Sequence, residues 1–219
     1  MIKEQESAYQ LDNTSIQIGP SERKINMGEG WNDFTYILPV TEALNRVLQL
    51  RDEIRLSEGI FLRKNELHIT LLGLGTKELI RTEFEKKAEQ GVDIMVAINK
   101  MLSELDFSFD LDLNSVKMVH NLDYDPEAVR TKKGRAAFES EDTVIMDVNM
   151  PGLKILCDRF QKELGIDLGT PASHITLYIK DNGDATGLGI GIHDLAKQIK
   201  GEIHPHIELK PLQVKELLK

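Results

Sequence analysis

The sequence predicts an α+β fold built from a duplicated strand-helix-strand unit, and two observations support this prediction. The tetrapeptide His-Ile-Thr-Leu occurs twice, at 68–71 and 174–177. Each copy ends a segment with the same order: a β-rich strand, a proline, a helical pattern and a second strand. The proline lies 29 positions before the histidine in the first copy and 23 in the second, which a six-residue difference in loop length explains.

The first copy begins with the β-rich run 34–40. Thr41 is expected to cap a helix whose apolar positions recur at helical spacing as far as Ile54. A strand over 67–73 then carries the first tetrapeptide, and a long helical pattern runs from about 77 to 105.

The second copy follows an alternating run at 107–113, which is typical of a half-buried strand. A strand is predicted over 143–148, and an apolar stripe at 153–164 predicts the next helix. The strand 173–180 carries the second tetrapeptide. A short helix near 193–200 and a strand over 202–209 complete the copy.

These elements define one bilobal domain with short additions at both ends. The parts are an N-terminal extension 1–30, lobe one at about 31–120, an exposed loop 121–142 with basic residues, lobe two at about 140–210, and a C-terminal tail 211–219, the domain as a whole being 31–210. Within the extension, Ile16 and Ile18 could add a short edge strand.

Composition narrows the classes of partner. A net charge of −9, from 36 acidic and 27 basic residues, argues against a protein that binds long duplex nucleic acid, because phosphate contacts require basic surface.

The polar N-terminus lacks the order of residues typical of a signal peptide, and no apolar run approaches the ~20 residues that cross a bilayer. One cysteine, Cys157, excludes an internal disulfide. We expect a cytoplasmic protein without a membrane partner, and favour a monomer.

The repeated motif has a chemical use as well as a structural one. Residues i and i+2 of a strand share a face, so His68 points with Thr70, and His174 points with Thr176. Two imidazoles and two hydroxyls that converge could hold a tetrahedral phosphate. One histidine would then act as general base and the other as general acid, since histidine titrates near neutral pH.

The alternative is that both tetrapeptides are buried strands whose histidines bond to the backbone. For a single copy we would favour that interpretation. Six histidines and eleven threonines in 219 residues would give about 0.3 His-x-Thr triplets by chance. Two copies, each at the end of the same order of elements, therefore favour a shared functional site over two buried strands.

With these motifs the chain resembles the 2H phosphoesterase superfamily, which is defined by two His-x-Thr/Ser motifs, each preceded by an apolar residue. The segments 67–70 and 173–176 match, and only Ser173 departs from the apolar residue expected there. The resemblance covers about 31–210. It implies two antiparallel sheets lining a central cleft, helices outside, and metal-independent hydrolysis of 2′,3′-cyclic or 2′-5′-linked nucleotide phosphates without a cofactor.

The substrate implied is a nucleotide or an RNA end. Some members of the superfamily bind nucleotides such as AMP without an established reaction, so a non-catalytic binding module using the same cleft stays as the alternative function.

Three further residues are candidates for substrate binding. By strand parity Tyr178 and Lys180 share the face of His174, where they could stack on a base and steady a phosphate, although packing at the strand rim is an equal alternative. Tyr36 lies on a strand expected beside the first motif.

A metal trio is conceivable on the last strand, but an exposed polar strand face is the preferred interpretation there. Its members would be His204, His206 and Glu208. We therefore expect no metal site.

Overall fold

A computed structural model shows an α+β chain in which one antiparallel sheet is flanked by helices. The structure describes residues 16–18, 35–73, 78–122, 124, 126–127, 140–169, 173–181 and 207–218. The strands are β1 (Ile16–Ile18), β2 (Thr35–Pro39), β3 (Glu53–Leu56), β4 (Gly59–Arg63), β5 (His68–Gly73), β6 (Phe109–Asn121), β7 (Asp142–Asn149), β8 (His174–Lys180) and β9 (Ile207–Pro211). The helices are α1 (Thr41–Val47), α2 (Glu78–Glu89), α3 (Ile94–Glu104) and α4 (Pro151–Arg159), which continues as a π-helical turn, Phe160–Leu164; a 3₁₀ turn spans Val214–Glu216.

The strand β8 is the junction of the sheet. One edge pairs with β7, which in turn pairs with β6. The other edge is shared, because β5 pairs with the beginning of β8 at Ile175 and β4 pairs with its end at Tyr178–Lys180. The strand β2 extends the sheet from β5, and β3 extends it from β4. The far edge of β6 holds β1 and β9.

The two motif strands have the same register irregularity. In β5, Thr70 lies opposite Ile37 but Leu72 lies opposite Tyr36, which leaves Leu71 as an extra residue. In β8, Thr176 and Tyr178 pair with adjacent residues of β7, which leaves Leu177 as the extra residue. Each tetrapeptide therefore ends in a β-bulge at its leucine. A bulge reverses strand parity, so side chains after it point to the other face.

The sheet has two faces of different character. The core face carries Ile69 and Ile175, which belong to one apolar cluster with the helix residues Leu44, Ile98 and Leu153. Each such side chain stabilises the fold by about 1.5–3 kcal/mol through burial. The opposite face, called here the histidine face, carries the histidine and threonine of both tetrapeptides. The helices therefore cover the core face and leave the motif side chains on the other.

The helix predicted from Thr41 to Ile54 is shorter than expected. It ends at Val47, and Ile54 instead lies in the β3–β4 hairpin opposite Phe61, with both side chains buried. The apolar spacing does not distinguish a longer helix from a strand here, because a strand can also place a buried residue at Ile54. Gly59, with φ of 138°, follows the hairpin turn.

Thr41 does not cap the helix. Its hydroxyl accepts a hydrogen bond from the backbone N–H of Leu67 at 2.8 Å.

The long helix predicted over 77–105 is two helices. Gly91, with φ of 77°, lies between α2 and α3, a conformation that glycine adopts without strain. The Asp93 side chain then accepts a hydrogen bond from the Val96 N–H and begins α3.

The other element predictions are confirmed where the structure describes them, except that the strand predicted over 107–113 begins at Phe109 and continues to Asn121. The edge strand at Ile16–Ile18 is present. The strand, helix and strand of the second copy are present as β7, α4 and β8, and the helix ends at Gly165 in the left-handed conformation. The last strand begins at Ile207 among the described residues and runs to Pro211.

Two further predictions differ from the fold, and others fall outside the described residues. The resemblance implied two sheets, whereas the described strands form one, joined where Ile69 pairs with Ile175. Residues 212–218, expected as a tail, pack on the body with Leu217 buried. Most of the extension 1–30, most of the loop 121–142, the helix near 193–200, and His204 with His206 lie outside the described residues.

Candidate active site

The four motif side chains come together on the histidine face through the pairing of β5 with β8. The strands are antiparallel and Ile69 pairs with Ile175. One residue to either side, this register sets His68 opposite Thr176 and Thr70 opposite His174. Because the isoleucines point to the core face, all four flanking side chains point to the histidine face.

Cross-strand geometry gives the spacing of the groups. Directly opposite residues of an antiparallel pair have Cβ atoms about 4.5–5.5 Å apart, and diagonal neighbours are about 7–8 Å apart. Each histidine therefore has a threonine opposite it, while His68 and His174 are diagonal neighbours. Two imidazoles on that diagonal leave room for one phosphate group between them.

The same backbone bond holds the start of both motif strands. The Val40 N–H donates to the Leu67 carbonyl at 2.8 Å, and the Val148 N–H donates to the Ser173 carbonyl at 3.0 Å. The residue before each histidine is thus anchored to the outer neighbouring strand. The geometry of the two copies is fixed by equivalent contacts.

Lys64 also lies beside the motif side chains, although the sequence alone did not predict it there. Its backbone N–H donates to the carbonyl of the bulge residue Leu177 at 2.9 Å. The preceding residue, Arg63, lies opposite Tyr178 on the core face, so Lys64 is directed to the histidine face beside His68. Burial lowers the pKa of Lys64, and Glu66 opposes this shift. The basic triplet 63–65 was visible in the sequence, but its partner strand was not.

The electrostatic environment of His68 disfavours its charged form. Burial, then the positive charge of Lys64, then that of His174 lower the pKa of His68 to about 4. His68 is therefore a neutral imidazole at pH 7. The influence of His174 on His68 is also consistent with the diagonal placement of the two rings.

The environment of His174 differs because a carboxylate lies beside it. Asp147 of β7 is directly opposite His174. Lys117 of β6 donates to Asp147 Oδ2 at 2.7 Å, and the Asp147 backbone N–H donates to Ser115 Oγ at 3.0 Å. Asp147 is thus held from its outer side by β6. The corresponding position opposite His68 is Pro39, which carries no charge.

Buried polar atoms without a partner are concentrated on this face. Within the described residues these atoms are His68 Nδ1, Thr143 Oγ1 and Asp147 Oδ1. Thr143 and Asp147 share the face of Ile145, which pairs with Thr176. An unmet buried group costs about 1–3 kcal/mol, so this face has hydrogen-bonding capacity that a polar ligand can use.

The parity prediction for Tyr178 and Lys180 is wrong because the bulge at Leu177 reverses the strand. Tyr178 is fully buried on the core face, and its hydroxyl donates to the carbonyls of Arg51 and Leu217 at 3.1 and 3.0 Å. Burial raises its pKa to about 12. Neither residue is therefore placed beside the histidines.

Tyr36 is also on the core face. Its strand does pair with β5, as expected, but the bulge sets Tyr36 opposite Leu72 rather than on the face of Thr70. It is buried, and burial raises its pKa to about 12. A role in binding a ligand at the histidines does not fit this position.

A second polar cluster, not predicted from sequence, lies at the end of β7. His120, Glu141 and Asp142 are close enough to share a metal ion. The cluster already has a cation, because Lys180 Nζ lies 2.7 Å from Glu141 Oε2 and 2.9 Å from Asp142 Oδ2. His120 Nδ1 lies 2.6 Å from Asp142 Oδ1. This arrangement satisfies Asp142, which is 1% exposed, without another ligand.

Comparison of the chain with protein-family models, with curated proteins and with solved structures finds no match. Within the described ranges, no helix is both long and apolar enough to span a membrane.

Proposed function

We propose that the chain is a phosphodiesterase that uses His68 and His174 as a general acid–base pair on 2′,3′-cyclic or 2′-5′-linked nucleotide phosphates. The observation that carries the proposal is the pairing of Ile69 with Ile175. It puts two histidines and two threonines, more than a hundred residues apart in sequence, on one face of neighbouring strands. A single tetrapeptide carries only one histidine, so two imidazoles can reach the same phosphate only when the two motif strands are neighbours.

The chemistry for a cyclic phosphate needs one proton acceptor and one proton donor. A water molecule attacks phosphorus while the neutral histidine takes its proton. The bond from phosphorus to one ribose oxygen breaks, and the protonated histidine supplies the proton to that oxygen. Thr70 and Thr176 would donate hydrogen bonds to the non-bridging oxygens, and Lys64 adds positive charge beside them. This mechanism requires no metal ion.

A local anion site is compatible with a chain of net charge −9. Lys64 is partly buried, and within the described residues no carboxylate forms an ion pair with it. A small phosphate ester matches this confined charge better than a duplex, whose recognition requires an extended basic surface.

We also propose that the chain consists of two duplicated lobes around a cleft. The equivalent strand pairs β2–β5 and β7–β8, with their equivalent bulges, are what two duplicated lobes around a cleft would produce. The phosphate would lie in that cleft, against the motif side chains.

The test is turnover of a panel of 2′,3′-cyclic mononucleotides and 2′-5′ dinucleotides in EDTA, read by product mass. We expect hydrolysis by the unmodified chain and loss of activity in His68→Ala and His174→Ala. His120→Gln is the matched control, because His120 is a strand histidine outside the motifs, and it should keep activity. Activity that is equal in all variants would refute the proposal.

The alternative, a nucleotide-binding module, predicts a different result in the same assay. Titration with 5′-AMP would show saturable binding that depends on Lys64 and the threonines, but no member of the panel would be cleaved. Within the described residues, the neutral His68 beside a second histidine favours the enzyme, because an anion-binding site alone gains little from an uncharged imidazole.

A further inference from the structure

We propose that the two histidines have fixed and unequal roles: His68 is the base and His174 is the acid, and Lys64 and Asp147 are the positioning residues that impose this order. The inference rests on the proposed function, since it assigns the roles within that site. The two tetrapeptides are identical, so the difference must come from the residues around them.

The groups that face His68 all favour its neutral form. From β5 outward, β2 contributes Pro39, which has no charge. The residue after β4 is Lys64, whose charge acts on His68, and β8 contributes His174 and Thr176. The carboxylate of Glu66, two residues before His68, raises the pKa of Lys64, whereas the charges that shift the pKa of His68 are those of Lys64 and His174. Proton uptake by His68 is therefore unfavourable, because a cation lies on one side of the ring, a second imidazole lies on the other, and the ring is partly buried.

The groups that face His174 favour its protonated form. Asp147 of β7 is directly opposite it, and Thr70 of β5 is on its other side. Lys117 engages only Oδ2 of Asp147 at 2.7 Å, while Oδ1 has no partner within the described residues. That oxygen is available to an imidazolium. A carboxylate beside a histidine stabilises its charged form.

The order of the two titration midpoints determines which fraction of the molecules is productive, that is, has the base neutral and the acid charged. Two histidines with the same midpoint would leave only about one molecule in four with the base neutral and the acid charged at that midpoint. When the base releases its proton at a lower pH than the acid, nearly all molecules between the two midpoints are productive. The arrangement of Lys64 and Asp147 gives that order.

The first experiment follows the imidazole signals of the ligand-free protein by NMR across pH 3–9, with His68→Gln and His174→Gln to assign them. We expect His68 to titrate below His174. Lys64→Met should raise the midpoint of His68, and Asp147→Asn should lower that of His174, each by about 0.5–1.5 pH units. Lys117→Met should raise the midpoint of His174, because it leaves the carboxylate uncompensated.

The control for charge loss is Lys154→Met, which removes an exposed ammonium paired with Asp158 on α4. It should move neither midpoint. If His174 titrates at or below His68, or if Asp147→Asn shifts both signals equally, the assignment is overturned. Because these measurements need no substrate, they give an answer even if the chain turns over none of the tested phosphates.

The second experiment compares kcat/KM against pH for the same variants. Lys64→Met should move the acidic limb to higher pH, and Asp147→Asn should move the alkaline limb to lower pH, with the opposite limb unchanged in each case. A residue that only supported folding would scale the whole profile. Limbs that move in the exchanged order would show that the roles are reversed while leaving the proposed function intact.

Discussion

The strands β5 and β8 have the same backbone design but different surroundings. Each carries His-Ile-Thr-Leu, pairs antiparallel with an outer strand, bulges at the leucine and is anchored at the residue before its histidine. Opposite the histidine, however, β2 places Pro39 and β7 places Asp147, and the positive charge of Lys64 acts on His68. The difference teaches that repetition sets where the two imidazoles lie, whereas neighbours that are not repeated give each imidazole different surroundings.

The largest expected effect removes either histidine. His68→Ala and His174→Ala should each lower turnover by about 10²–10⁴-fold, the scale for losing an acid or a base. The double variant should be little worse than either single one, because the two rings act as a unit. Losses that multiply would show that the two strands work independently, and the equivalence drawn between them would concern structure alone.

The second effect is on stability and separates the two histidines without any substrate. The pKa of His68 is lowered to about 4 in the folded state, below its ordinary value of 6.5. The unfolded chain therefore takes up the proton first as pH falls from 6.5 to 4, so folding weakens across that window by at most about 3 kcal/mol.

Urea unfolding at pH 7 and pH 4.5 measures this loss. His68→Gln should remove most of this pH dependence, and the same replacement at His174 should reduce it less, because the charge of His174 is the smallest of the three causes of the His68 shift. An equal reduction in both variants would mean that the two sites have the same environment.

The threonines should contribute less than the histidines. Thr70→Ala and Thr176→Ala each remove one hydrogen bond to a charged oxygen, worth about 1.5–3 kcal/mol, so turnover should fall about 10- to 150-fold. Thr→Ser at the same positions keeps the hydroxyl and should recover most of the rate. Serine variants as slow as the alanine variants would indicate that the methyl group packs the site and that the hydroxyl is not used.

The smallest effect tests the reversal of face at the bulge in β8. Tyr178→Phe removes a buried hydroxyl that donates to the carbonyls of Arg51 and Leu217. The free energy of unfolding should fall by about 1–2 kcal/mol while kcat and KM stay unchanged. A loss of turnover in a variant that unfolds normally would place Tyr178 at the site after all.

The sequence by itself determined the parts of the molecule that depend on local pattern. The strand period predicted that His68 and Thr70 share a face, and the repeated order predicted β2, β5, β7, α4 and β8. It also identified the candidate pair of imidazoles. These features follow from residue spacing within one element, which a sequence states directly.

Only the tertiary structure decided which face each later residue occupies and which distant residues join the site. The bulges after Thr70 and Thr176 turn Tyr36 and Tyr178 into core residues, and bulges are set by pairing between strands. Lys64 and Asp147 reach the histidines by the same cross-strand register. Since pairing joins segments far apart in the chain, no local pattern specifies it, and the charge environment of each histidine could be read only from the folded sheet.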